Sequence, residues 1–186
     1  MIGERFPEVL RDAKAGDSYA LGRLYEECAP RVLGYLRSQG IADHEDVAAE
    51  VFVSMVRNLT RFEGDEDAFR GWVFTIAQRR LIDERRRRGR RPEEPFETED
   101  LVEVLGAGST GGGVESEALE RLRTTGLLEA IEQLTPDQRA VLYLRAVADL
   151  SVPDIARALD KPETAVKALL RRASAALNRR LKEAEE

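Results

Sequence analysis

Apolar residues recur every three or four positions along most of this chain, and nowhere do apolar and polar residues alternate as in a half-buried strand. In the first half, this spacing predicts one helical segment before Pro30 and another after it, and Gly40 is predicted to end the second segment. A longer amphipathic helix is predicted from near Asp43, and another from Asp65–Asp67 through an arginine-rich stretch to Gly89. The pattern therefore predicts an all-α fold.

Helix start signals are explicit in the second half of the chain. Thr135, Pro136 and Gln138 have the residue types and spacing of a capping box with proline at the first helical position. Ser151–Asp154 repeats this arrangement, and a break at Asp160–Pro162 then precedes a last helix with one apolar stripe. A short helix, a tight break and a longer basic helix are typical of a helix-turn-helix.

Charge is segregated along the chain, which divides it into three parts. Residues 92–120 carry nine acidic and no basic side chains, together with prolines and a glycine-rich run. This composition predicts a flexible acidic linker between a domain of residues 1–91 and a domain of residues 121–186. A long surface loop within one domain is the alternative. Because the flanking segments carry net charges of +1 and +2, the overall charge of −6 does not exclude nucleic-acid binding.

The single cysteine, Cys28, and the single histidine, His44, exclude several classes of site. A disulfide within the chain or a zinc site built from cysteines needs more than one thiol, and most catalytic metal sites need several histidines. We therefore predict no metal, no cofactor and no catalytic residue. No apolar run is long enough to cross a membrane, and the charged N-terminus lacks a signal core, so a cytoplasmic location without membrane insertion is expected.

The last two predicted helices carry the sharpest functional signal. In a helix-turn-helix the second helix enters the major groove of DNA, so it needs an apolar inner face and a basic outer face. Its first turns would contact base edges, and its arginines would contact phosphates. The residues predicted to make these contacts are Glu163, Thr164, Lys167, Ala168, Arg171 and Arg172. An ordinary helical hairpin with solvated charges is the alternative.

A second signal combines aromatic residues with arginines. Phe62, Phe69, Trp72 and Phe74 fall within thirteen residues, and eight of the thirteen residues from Arg79 to Arg91 are arginine. Aromatic rings can stack on unpaired bases and arginines can neutralise phosphates, so this arrangement favours melted or single-stranded nucleic acid. Core packing is the alternative for the aromatics, and a localisation or RNA-binding tract for the arginines.

Three segments resemble, in order, those of bacterial RNA polymerase sigma factors of the extracytoplasmic-function (ECF) group. HEDVAAEVFVSMVRNL (His44–Leu59) resembles the family's polymerase-binding helix, and FRGWVFTIAQRRLIDERRRR (Phe69–Arg88) its helix that meets the melted −10 promoter element. LTPDQRAVLYLRAVADLSVPDIARAL (Leu134–Leu159) resembles the front of its second domain. The resemblance implies a factor that binds core RNA polymerase and directs promoter-specific initiation.

The resemblance also implies roles for individual residues. Asp46, Glu50 and Phe52 match family positions that bind the coiled-coil clamp of the polymerase's largest subunit. The second domain would recognise the −35 element through the helix-turn-helix residues named above. The residues implied to contact the −10 element are Arg61, Phe62, Trp72, Arg79, Arg80, Arg85, Arg86 and Arg87.

The last helix departs from the family pattern. The family's usual Ser-Arg pair is replaced by Ala168-Leu169, and a usual turn glycine is replaced by Asp160. Two potential contacts with the DNA groove are therefore lost. The −35 sequence that this chain recognises cannot be taken over from other members of the family. Three roles are open for Leu169: an extension of the apolar stripe, contact with a thymine methyl, or contact with a partner protein.

The partners that the resemblance implies are core RNA polymerase, promoter DNA and an anti-sigma protein that holds the free, monomeric factor inactive. The acidic linker would mimic phosphate charge in polymerase channels, or would only keep the tether soluble. A further hypothesis is that the linker folds onto the arginine helix and suppresses DNA binding. The alternative function is a helix-turn-helix regulator that acts on duplex DNA without joining the polymerase.

Overall fold

The computed structural model describes residues 2–88 and 126–183. Within these two ranges the regular elements are all helical, which confirms the predicted fold class. The predicted linker, residues 92–120, lies outside them. The first range, here called the N-terminal block, contains α1 (Phe6–Lys14), α2 (Ser18–Ser38), α3 (His44–Asn58) and α4 (Glu66–Arg88), with short 3₁₀ turns at Gly3–Arg5 and Leu59–Arg61.

The second range, here called the C-terminal block, contains α5 (residues 126–132), α6 (Pro136–Ala146), α7 (Val152–Leu159) and α8 (Glu163–Glu183). Both predicted start signals are helix caps. Gln138 N donates to Thr135 Oγ1 at 3.3 Å and Thr135 N donates to Gln138 Oε1 at 2.9 Å, which completes the capping box. At the start of α7, Asp154 N donates to Ser151 Oγ at 3.3 Å.

Pro30 lies inside α2 and does not end it. The two predicted helical segments are one helix of 21 residues, which ends at Ser38 before Gly40, where φ is 70°. A proline in a helix interior removes one backbone hydrogen bond. Here Leu24 and Val32 are fully buried on either side of it, and burial of this continuous apolar face offsets the loss.

The core of the N-terminal block lies between α2, α3 and α4. Its fully buried side chains come from all three helices, and α1 adds Phe6, Leu10 and Ala13 from one face. The ring of Phe6 lies 5.6 Å from that of Phe69 in α4. This core fixes which faces of α3 and α4 remain available for partners.

The two blocks are in direct contact. α7 packs along α4, and α6 packs on α2. The rings of Tyr35 and Tyr143 lie 5.8 Å apart across this boundary, and Arg139 Nε donates to Ser38 O at 3.1 Å. The buried residues of both blocks therefore form a single cluster.

Cys28 is buried in α2, and this burial raises the pKa of its thiol to about 12. Because the thiolate is the reactive form, we expect the folded protein to resist iodoacetamide at mildly alkaline pH and to react fully in guanidinium chloride. Mass spectrometry measures the extent of Cys28 modification in the folded protein and in the unfolded protein. Rapid modification of the folded protein would contradict the burial of Cys28.

Candidate nucleic-acid interface

One face of α3 presents two exposed carboxylates. Asp46 lies in the first turn and Glu50 follows one turn later, so both side chains point to the same side of the helix. Glu50 Oε2 lies 3.6 Å from Arg80 NH1, and both of these side chains are partly exposed. An exposed pair of this kind contributes little to stability, so both acids remain available to a partner.

Phe52, the third residue matched to the polymerase-binding helix, lies beneath this face. Its side chain is 8% exposed, and its ring makes an edge contact with Tyr25 at 4.7 Å. Val53 and Val56 are instead exposed at 48% and 46%. Val56 is exposed although it lies one turn after the buried Phe52, because α3 carries more apolar positions than α2 and α4 cover. Sequence spacing alone did not separate these edge positions from the core.

The aromatic cluster at the start of α4 is mostly buried. Phe62 is 8% exposed, and its ring stacks on Trp72 at 5.0 Å and meets the edge of Phe69 at 5.4 Å. Phe69 and Phe74 are buried as well. Trp72 is the partly exposed member of these four, so it is the ring that a base can reach without rearrangement.

The segment that leads into α4 is held at both ends. Lys14 Nζ donates to Phe62 O at 2.5 Å, and Asp65 caps α4 by accepting from Ala68 N at 2.8 Å. Between them Gly64 has a φ of 147°, and a β-carbon there would lie 2.8 Å from Ala68 Cβ, so glycine is required. Arg61 is exposed immediately before this fixed segment.

The arginines of α4 fall into two groups. Arg79 and Arg86 are exposed and share a stripe with Trp72, since successive members of the series 72, 76, 79, 83 and 86 are three or four residues apart. Three further arginines predicted to contact the −10 element also bond to the protein: Arg80 NH2 donates to Ser54 Oγ at 2.6 Å, and the exposed Arg85 donates from NH2 to Gln39 O at 2.9 Å. Arg87 pairs with Glu84.

The predicted reading face of α8 is open to solvent. Val166, Ala173 and Leu177 point into the core, and Ala168 is half-buried. Lys167 Nζ lies 3.5 Å from Glu163 Oε2 in an exposed pair one turn apart. The predicted contact residues on the exposed side are Glu163, Thr164, Lys167, Arg171 and Arg172.

The turn before α8 explains one departure from the family pattern. Asp160 ends α7 in the left-handed conformation, with φ of 51° and ψ of 49°, which glycine adopts most easily and which aspartate tolerates. Leu169 is half-buried against the core. Of its three open roles, this position favours an extension of the apolar stripe.

The lone histidine contributes to a turn. His44 Nδ1 lies 3.2 Å from Ile41 O at the start of α3. Among the residues that the structure describes, no three of the types His, Cys, Asp and Glu are grouped to hold a metal ion. None of the helices in the two described ranges is long and apolar enough to cross a bilayer.

Comparison with known proteins places both blocks in one family. Residues 24–91 match the model for Sigma-70 region 2, and residues 125–177 match the model for Sigma-70, region 4. The chain is 33% identical over 180 residues to the ECF RNA polymerase sigma factor BldN of Streptomyces coelicolor, with 95% of this chain and 66% of BldN covered. It is 33% identical over 179 residues to the ECF RNA polymerase sigma factor SigD of Mycobacterium tuberculosis, with 93% of this chain and 82% of SigD covered.

The fold is shared with a solved structure of a sigma factor complex. CnrH in complex with the cytosolic domain of CnrY aligns with a TM-score of 0.63 at 23% identity, over 97% of this chain and 99% of that chain. CnrH of Cupriavidus metallidurans is an RNA polymerase sigma factor. The alignment supports the arrangement of helices in both blocks.

Proposed function

Because this chain belongs to the ECF group of RNA polymerase sigma factors, we propose that it directs promoter-specific initiation through three exposed surfaces, one each on α3, α4 and α8. A sigma factor gives core RNA polymerase its promoter specificity and carries out no chemistry of its own. The domain of residues 1–91 binds the polymerase and the −10 element, and the domain of residues 121–186 binds the −35 element.

The exposed face of α3 is the polymerase-docking surface. Asp46 and Glu50 offer two carboxylates to basic groups, and Val53 and Val56 continue the same exposed side with apolar area. A mixed surface of this kind suits a helical partner that carries both arginines and apolar residues. Phe52 supports the surface from beneath by packing on Tyr25.

The exposed stripe of α4 contacts the −10 element. Trp72 offers a partly exposed ring for stacking on an unpaired base, and Arg79 and Arg86 lie along the same stripe for backbone phosphates. Arg61 lies at the entrance to this surface. Phe62 holds the indole of Trp72 in place. Arg80 and Arg85 bond α4 to α3 and to the end of α2, and Arg87 pairs with Glu84 within α4. The exposed parts of these three arginines contact DNA.

The last helix, α8, reads the −35 element. The first turns bring Glu163, Thr164, Lys167 and Ala168 to base edges, and Arg171 and Arg172 reach phosphates. Because Leu169 packs inward and Ala168 has no polar group, the preferred sequence differs from that of factors with a Ser-Arg pair at these positions.

The factor acts in the cytoplasm, where an anti-sigma protein controls access to the polymerase. The solved relative CnrH forms a complex with the cytosolic domain of CnrY, which supports a protein partner of this kind. The docking surface on α3 is the natural target, because covering it prevents assembly with the polymerase.

The matches of both blocks to sigma regions, in the right order, carry this proposal. Gel filtration of the chain with core polymerase, followed by electrophoretic shifts on promoter duplex, tests it. We expect co-elution with the polymerase, and tight promoter binding only by the assembled complex. A chain that does not co-elute and that shifts a palindromic duplex alone would instead be a conventional regulator.

Replacing the arginines of α8, with Arg171→Ala and Arg172→Ala, is expected to lower the salt dependence of binding to the −35 duplex. Each phosphate contact contributes about −0.9 to the slope of log K against log salt, so the slope should become about 1.8 less negative. Fluorescence anisotropy of the polymerase complex over a salt series measures this. Arg23→Ala, at an exposed position on α2, is the control. An unchanged slope would show that neither arginine contacts phosphate.

A further inference from the structure

The first helix, α1, lies against the segment that leads into α4, here called the entry loop (Phe62–Asp65). Its buried face includes Phe6, and the helix also contacts the 3₁₀ turn Leu59–Arg61 directly before the loop. Because α1 precedes residues 24–91, the match to Sigma-70 region 2 assigns it no role. Its polar contacts with the entry loop indicate one.

Lys14, the last residue of α1, reaches the first carbonyl of the entry loop. The side chain is half-buried, and its Nζ donates to Phe62 O at 2.5 Å. The N–H of Phe62 donates to Leu59 O at 3.0 Å, so the backbone is held on both sides of this residue. A hydrogen bond from an ammonium group is about twice as strong as one from a neutral donor. Lys14 therefore fixes the start of the entry loop.

Glu66 fixes the other end of the entry loop. It is buried in the first turn of α4, and its two carboxylate oxygens accept from Ile2 N at 2.6 Å and from Gly3 N at 2.8 Å. Gly3 begins a 3₁₀ turn, and N–H groups at the start of a helix have no acceptor within it. The carboxylate and the two N–H groups therefore satisfy each other, which ties the first residues of the described chain to α4.

The position of the entry loop is passed to the proposed −10 surface by packed rings. The ring of Phe62 stacks on Trp72 at 5.0 Å, with 29° between the two planes. From α1, the ring of Phe6 lies 5.6 Å from Phe69, which in turn lies 5.8 Å from Trp72. A shift of the Phe62 backbone would therefore move the indole that is proposed to stack on an unpaired base.

We propose that Lys14 and Glu66 are positioning residues for base capture. Together they clamp residues 2–14 to the two ends of the entry loop, and so fix the place where Trp72 meets an unpaired base of the −10 element. This inference rests on the proposed function, because it assigns the clamp a role in the same −10 surface. Neither side chain has to touch DNA, since Lys14 holds a carbonyl and Glu66 holds two N–H groups.

The clamp predicts a loss of selectivity more than a loss of overall affinity. Phosphate contacts hold the strand whatever its sequence, whereas recognition of a base depends on the exact position of the groups that meet it. The measurable quantity is a discrimination ratio. It is the affinity of the polymerase complex for a non-template single strand with an intact −10 element, divided by its affinity for the same strand with one abasic −10 position.

The first test removes the ammonium group with Lys14→Met, which keeps an unbranched side chain of similar length. Fluorescence anisotropy with labelled strands measures both affinities. We expect the ratio at the most sensitive −10 position to fall by about fivefold or more, because recognition is lost when the groups involved move by a fraction of an ångström. Lys14→Arg keeps a donor at this position and should retain most of the ratio.

The matched control is Arg11→Met. Arg11 is exposed on the same helix, and this variant loses the same charge. Its discrimination ratio should equal that of the wild type. A variant that is only less stable loses affinity for both strands in proportion, so its ratio stays constant. An unchanged ratio for Lys14→Met would therefore overturn the proposal.

Glu66→Gln tests the second contact. The amide has one acceptor oxygen in place of two, so it cannot accept from Ile2 N and Gly3 N through separate oxygens. We expect a lower ratio here as well, with the exposed Glu8→Gln on α1 as the control. A wild-type ratio for Glu66→Gln would overturn the role of Glu66 in the clamp.

Hydrogen–deuterium exchange of the free, full-length chain tests the clamp without DNA. Lys14→Met should speed exchange of the amides of Phe62 and Ala68, on either side of the loop, by about threefold or more, while the amides of α2 keep their wild-type rates. Unchanged exchange at both amides would overturn the clamp. If the wild-type complex does not distinguish intact from abasic strands, the proposed function has failed, and the exchange result still decides whether Lys14 holds the loop.

Discussion

Reversing both exposed charges of α3, with Asp46→Lys and Glu50→Lys, is expected to weaken binding to core RNA polymerase by about a hundredfold. Two attractive contacts become repulsive at a surface that also includes Val53 and Val56. Binding to core polymerase, measured with a fluorescently labelled chain, reports the change directly. Because Asp46 and Glu50 are exposed, the helical content and the melting temperature should stay close to those of the wild type.

The matched control makes the same change of charge elsewhere. Glu8→Lys with Asp12→Lys reverses two acids that are also four residues apart, on α1. This variant should bind polymerase nearly as tightly as the wild type. Equal weakening by both variants would mean that net charge, and not the α3 face, governs the interaction.

Removing the indole of Trp72, with Trp72→Ala, is expected to reduce initiation on duplex promoter by about 10- to 100-fold. Stacking on one unpaired base contributes about 1–3 kcal/mol, and this ring is the partly exposed member of its cluster. Run-off transcription from duplex promoter measures the loss. Trp72→Phe keeps a ring at this position and should retain most of the activity.

A template with a pre-melted −10 region separates a role in capturing bases from a role in folding. Trp72 packs on Phe62 and Phe69, so its removal also costs some stability, which thermal unfolding measures. If Trp72 helps to hold the melted strand, the pre-melted template should restore part of the activity of Trp72→Ala. An equal loss on both templates would assign Trp72 a structural role only.

Local signals predicted the fold well where one segment contains all the information. The capping box at Thr135 and Gln138 forms with both hydrogen bonds, because its partners are three residues apart. The start of α3 at His44 and the end of α4 at Arg88 also lie within a residue or two of the predicted positions. In contrast, α1 was not predicted, although Phe6, Leu10 and Ala13 have helical spacing, because a nine-residue helix is a weak periodic signal.

The functional surfaces were harder to predict because exposure depends on neighbouring helices. Phe52 and Val56 lie four residues apart on α3, yet Phe52 is covered by Tyr25 while Val56 is exposed. Arg79 and Arg80 are adjacent in the chain, but only Arg80 reaches Ser54 across to α3. The contact between Gly71 and Asp154 joins residues more than eighty positions apart, and no local pattern marks it.

In vitro transcription with sigma-free core polymerase on genomic DNA, followed by mapping of the RNA start sites, tests the central claim most directly. We predict initiation that depends on the added chain, at sites that share two upstream sequence elements with a fixed spacing. The Asp46→Lys/Glu50→Lys variant should give little product at the same sites. Core polymerase that starts no RNA at any site in the presence of the folded chain would contradict the assignment as a sigma factor.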